Sequence, residues 1–199
     1  MSLPDPNPAP LAALATLLEN EDYTVIHTPA NEFRKGGELL FNALDEESEE
    51  QGSILPVRVI VLNTRMDEDA LTAMNAEPVG ALMLHCALVF PWSIAEDRLL
   101  GVMQAVLLVN RVLPLCSYGV SFEDRSCYLN ACITLQHGAP IPGPVVLETI
   151  QMICHAVQKY GPLIEQIVNG EITYKQMREA LEKRGQLPPP IPVQIVTAG

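Results

Sequence analysis

Cationic side chains are scarce in this chain. Twelve Lys and Arg stand against 24 Asp and Glu, leaving a net charge of −12. A surface of that sign repels the phosphate backbone of nucleic acid and anionic membrane faces, so neither is an expected partner. Charge of either sign is sparse too, at 18% of residues against 48% hydrophobic, the balance of a globular chain that buries a core. The five cysteines, Cys86, Cys116, Cys127, Cys132 and Cys154, are odd in number and contain no C-x-x-C pair, so no disulfide framework is indicated. Buried free thiols in a reducing cytoplasm are the expectation. The opening MSLPDPNPAP has neither the basic nor the apolar part of a secretory signal, consistent with a cytoplasmic protein. A glycine-rich phosphate loop is missing as well, so neither ATP nor a dinucleotide is expected, and no cofactor is called for.

What the chain has instead is one long apolar stretch, residues 93–113, ending at Pro114. Ser93 and Glu96 have the spacing of a capping box, which predicts a helix start there. At about 100° per residue, Asp97, Gly101, Gln104, Leu108 and Arg111 fall on one narrow polar stripe. Leu99, Val102, Val106, Val109 and Leu113 lie opposite. Leu100, Met103 and Leu107 widen the apolar arc to roughly 240°, more than one core-facing stripe requires. Such a helix must be covered on two sides, either wholly within one subunit or by the sheet on one side and a second subunit on the other. Its apolar run, 99–115, is slightly short for a bilayer and carries Gln104, Asn110 and Arg111, which argues against a membrane span.

Before this helix the pattern predicts a short helix at 11–18 behind a Pro-rich arm, then strands at 23–28, 38–44, 57–63 and 81–90. The acidic run DEESEE at 45–50 is expected as solvated loop, and 67–78 as a connector. In 81–90, ALMLHCALVF, residues of both parities are apolar: Leu82, Leu84, Cys86, Leu88 and Phe90 on one face, Met83, Ala87 and Val89 on the other. Such a strand is central, with its second face covered or adhesive. After the helix, 116–122 and 127–136 form a hairpin. A two-residue turn at Asp124 and Arg125 would set Phe122 opposite Cys127 and Val120 opposite Leu129, with Ser117, Ser121, Tyr128, Asn130 and Thr134 on the other side. Gly161 and Pro162 should break or kink the next helix, Asn169 and Gly170 should cap it, and Thr173 with Gln176 should open a last one. The reading is a single α+β domain over 11–186, an antiparallel sheet packed by a long central helix with N-terminal and C-terminal helices. Pro-rich segments at 1–10 and 187–199 flank it.

Candidate chemistry is thin. On a strand His85 and Cys86 point to opposite faces, and Cys154–His155 has no zinc-type partner spacing. The acidic runs at 45–50 and 67–69 lack the alternating oxygen ligands of a calcium loop. No nucleophile, base and orienting group assemble, so no enzyme is expected.

The order helix, strands, long apolar helix, hairpin, final helix resembles the type III secretion chaperone-like fold and its YbjN-type relatives, labelled sensory transduction regulators. LLGVMQAVLLVNRVLPLCSYGVSFEDRSCYLNACITL carries most of the resemblance, which covers roughly 11–170. It is a likeness of layout and size, and the Pro-rich tail and second C-terminal helix depart from it. The resemblance implies a small cytoplasmic homodimer that binds extended segments of another protein without ATP. The resulting expectation is a non-enzymatic protein-binding module, chaperone-like or regulatory, with Leu100, Met103, Leu107, Met83, Tyr128 and Asn130 at dimer or partner interfaces. A small-molecule or cation sensor is the alternative.

Overall fold

The computed structural model describes residues 9–28, 38–43, 55–64, 81–136 and 141–187. Within them the chain forms α1 (Ala9–Glu19), β1 (Val25–Thr28), β2 (Glu38–Asn42), β3 (Pro56–Thr64), β4 (Ala81–Val89), α2 (Leu99–Val109), β5 (Ser117–Val120), β6 (Cys127–Gln136), α3 (Gly143–Asn169) and α4 (Tyr174–Lys183). The six strands make one antiparallel sheet in the order β1-β2-β3-β4-β6-β5. The fold is therefore α+β, and β4 is central as its two-sided pattern predicts. The acidic loop, the connector at 67–78 and the tail beyond 187 lie outside the described residues.

Alternation builds the core. Leu39, Phe41, Val57, Val59, Leu84, Cys86, Leu88, Cys127, Leu129 and Ala131 share one face and are all buried. Helices cover that face. Tyr118 donates its hydroxyl to the Ala156 carbonyl of α3 at 2.8 Å, and Tyr23, edge-on to Phe41, reaches Cys154 of the same helix. α1 packs on β1, β2 and α3, while α2 packs against α3, α4 and β5. The longest cover is thus α3, whose 27 residues run unbroken through Pro162. The expected break at Gly161 and Pro162 is absent. Gly161 is buried beside Phe90, and the Pro ring removes one helical N–H without ending a helix held by packing on both sides of it.

Three further expectations are corrected. The Ser93 capping box does not form. Ile94 is tied into extended backbone by its N–H to the Arg125 carbonyl, Glu96 turns to the Arg125 guanidinium, and a 3₁₀ turn at Glu96–Arg98 precedes α2. Long-range partners outcompete the local cap.

The hairpin register is two residues from the predicted one: Val120 faces Cys127 and Tyr118 faces Leu129. The loop is longer, closed by Ser121 N–H to the Ser126 carbonyl, with Arg125 in the left-handed region at φ 55° and Asp124 accepting from the Ser126 hydroxyl. A shift of two preserves every side chain's face, so the sides of the hairpin are as expected.

The polar stripe of α2 holds only in part: Asp97, Gln104 and Arg111 are exposed as expected, but Gly101 and Leu108 are not. Leu108 is buried, and a Cβ on Gly101 would touch Ile167 of α3. Gly101 thus faces α3 at ordinary packing distance and is not on a solvated side.

The ends of the other helices follow their sequence signals. Thr173 and Gln176 close the predicted capping box on α4. Gly170, at φ 77°, ends α3 in the left-handed conformation that glycine adopts without strain. Above it lies the Arg98 guanidinium, donating to the Val168 carbonyl at 2.7 Å.

Candidate protein-binding surfaces

The sheet face opposite the helices carries, in cross-strand rows, Ile26, Leu40, Arg58, Ala87, Asn130 and Ser117, then Thr28, Glu38, Ile60, His85 and Cys132. Met83 and Thr134 continue it one pair further, and Val89 and Tyr128 bound it at the hairpin end. No described helix lies over this face. Ile26 and Val89 are 62% and 61% exposed, and Leu40, Ile60, Met83 and Ala87 are half-buried between their neighbours. Its apolar side chains are interspersed with polar and charged ones, Arg58, Glu38, His85 and Asn130 among them, a mix that non-obligate interfaces also carry. One ionic feature is built in: the buried Glu38 carboxylate is paired with Arg58 across β2 and β3.

Tyr128 and Asn130 structure the β5 side of this face. The Tyr128 ring lies flat over Gly119, where a Cβ would fall 2.2 Å from the ring, so the glycine makes room for the aromatic. Asn130 accepts from the Ser117 hydroxyl at 2.9 Å. The edge of β5 is closed. Asn110, just past α2, accepts from Tyr118 N–H at 2.8 Å and donates to the Tyr118 carbonyl at 2.9 Å. An added strand would need those same groups, so β5 offers no free pairing edge at Tyr118. Sequence reasoning counted Asn110 only as a polar break in an apolar helix and missed this role. A lone Asn close before a strand on the chain is the signal that was available.

The six expected interface residues fall on two separate surfaces. Met83, Tyr128 and Asn130 are on the open sheet face. Leu100, Met103 and Leu107 are on α2, whose buried side joins the core under the opposite face. Leu100 and Leu107 are 66% and 65% exposed, Met103 is half-buried, and with Gln104 they form the outer line of the helix.

Cysteine chemistry divides the same way. Cys86, Cys116 and Cys127 are buried as expected, and burial pushes their thiols up to about 12, about 11 and about 12, with Cys132 nearby adding to the rise at Cys86. Burial also raises the half-buried Cys154. These thiols stay protonated and unreactive at neutral pH. The exception to the buried-thiol expectation is Cys132, which is exposed on the open face as the cross-strand partner of His85. Its parity is that of Asn130 and Thr134, which puts it outside the core. His85 and Cys86 do face opposite ways, and among the described residues no three His, Cys, Asp or Glu side chains are grouped to hold a metal ion. No described helix is long and apolar enough to cross a membrane.

Comparison of the chain with models of known protein families and with characterised proteins finds no match. The functional reading therefore rests on these two surfaces alone.

Proposed function

We propose that this chain is a non-catalytic protein-binding module, chaperone-like or regulatory, that works in the cytoplasm as a homodimer and holds a segment of another protein. The layout shared with secretion chaperone-like proteins agrees with this reading. The observation that carries it is the sheet face that no described helix covers, where Ile26, Met83 and Val89 stand among Arg58, Glu38, Tyr128 and Asn130. An extended segment laid on such a face buries its apolar side chains there, and the net charge of −12 steers basic segments towards it.

The test is capture from native cytosol followed by mass spectrometry, with wild type beside Met83→Asp and Val89→Asp. A partner retained by wild type and lost by both variants supports the proposal. Equal capture by all three, or co-purification of a metabolite with no protein, overturns it in favour of a sensor.

A further inference from the structure

From Leu99 through Phe122 the chain contains no Asp or Glu, although it has 24 of them elsewhere. Within this acid-poor stretch the exposed residues of α2 are Leu100, Gln104 and Leu107, and the same 3-4 spacing continues to Asp97 in the turn before the helix and Arg111 in the turn after it. The outer line of the helix thus reads Asp, Leu, Gln, Leu, Arg. Reversed, it reads the same with the charges exchanged. A two-fold axis passing beside Met103 and Gln104 would lay Leu100 on the partner's Leu107 and Asp97 beside the partner's Arg111, twice over. Self-complementarity of this kind is what an isologous interface requires.

We propose that a second copy of this chain docks on the outer line of α2, antiparallel, with Leu100 and Leu107 at the contact and Asp97 pairing with the partner's Arg111. This specifies the dimer of the proposed function and rests on that reading, and it leaves the open sheet face for the other protein. The helix is the suitable place for two chains of net charge −12 to meet, because its middle holds no acid to repel the other copy. Arg111 also interacts within its own chain, so removing it is a poor test and exchanging it is a good one.

Sedimentation velocity of the full chain between low and high micromolar concentration reads the result. Wild type should dimerise, and Leu100→Asp and Leu107→Asp should be monomers with unchanged circular dichroism, since both side chains are largely exposed within one subunit. D97R and R111D should each weaken the dimer by about tenfold, because each reversal acts at two symmetric pairs, and D97R combined with R111D should restore it. A wild-type monomer at high micromolar concentration, an unaffected Leu107→Asp, or no rescue in the double exchange overturns the proposal. Val89→Asp should remain dimeric; if it alone becomes monomer, the sheet face is the seam and the α2 proposal fails. A dimer that obeys the exchange yet captures no protein supports this seam and counts only against the binding function.

Discussion

Two glycines with the same backbone conformation should differ threefold in the cost of an alanine. Gly170 and Gly185 end α3 and α4 at φ 77° and 64°. An added Cβ at Gly185 meets nothing within 4 Å, whereas at Gly170 it falls 2.5 Å from the Arg98 guanidinium. Gly185→Ala therefore costs only the left-handed strain of an L side chain, about 1 kcal/mol. Gly170→Ala adds the displacement of Arg98 from the Val168 carbonyl, a charged donor in a half-buried site, about 2 kcal/mol more. With a urea slope of about 2 kcal/mol/M for a chain of this size, the midpoints should fall by about 0.5 M and about 1.5 M respectively. Urea denaturation followed by circular dichroism reads both. In an Arg98→Ala background the Gly170→Ala cost should shrink to the Gly185 value, because the clash and the lost bond are the same event. Equal midpoints for the two glycine variants, or strictly additive costs with Arg98→Ala, would refute the reasoning.

Asn110→Ala should cost about 2 kcal/mol by leaving Tyr118 N–H and C=O without their partner, and should add concentration-dependent association through the opened edge, visible by light scattering. Native protein should expose one fast thiol to Ellman's reagent, assigned to Cys132 by its loss in Cys132→Ser, with Cys86, Cys116 and Cys127 reacting only on unfolding. The buried thiols also set an alkaline limit. Their folded pKa values lie above the unfolded value of 9.0, so the unfolded chain gives up protons first as pH rises. Stability should hold below about pH 8 and fall above pH 9 until the folded values are passed, by about 1.4 kcal/mol per pH unit for each fully buried thiol. Urea midpoints at pH 8 and pH 10 check this, and a Cys86→Ala, Cys127→Ala variant should show a shallower fall.

Much of the fold was legible because it depends on periods. Composition and turn signals placed every described strand of the sheet, parity gave the faces of 81–90 and of the hairpin, and Gly170 and Thr173 announced their helix ends. What was not legible depended on partners distant in sequence. Ser93 and Glu96 have capping-box spacing, but Arg125 takes Glu96 and the backbone at Ile94. Gly101 looks like part of a polar stripe until Ile167 is placed against it. The hairpin register hung on one loop, where Asp124 and Ser126 hold a longer turn than Asp124-Arg125 alone suggests. For the candidate surfaces, residue type identified Leu100, Leu107 and Met83, but only the topology separates them into a helix line and a sheet face.

The strand order has a consequence for the birth of the chain. β4 pairs with β6 and not with the earlier-made β5, so the ladder that joins the two halves of the sheet closes across the whole of α2 and the hairpin. Loop-closing contacts of such span form late. The apolar face of β4, with Leu84, Cys86 and Leu88, is synthesised well before α3, which supplies its roof. While the ribosome makes the residues between, α1 is the only described helix available to cover that half-built sheet. The nascent molecule passes through a stage in which its apolar strands are themselves exposed to general chaperones. A ribosome stalled near residue 140 should hold a chain sensitive to protease and attractive to general chaperones, and the full chain stalled on an added C-terminal linker long enough to clear the ribosomal tunnel should hold neither.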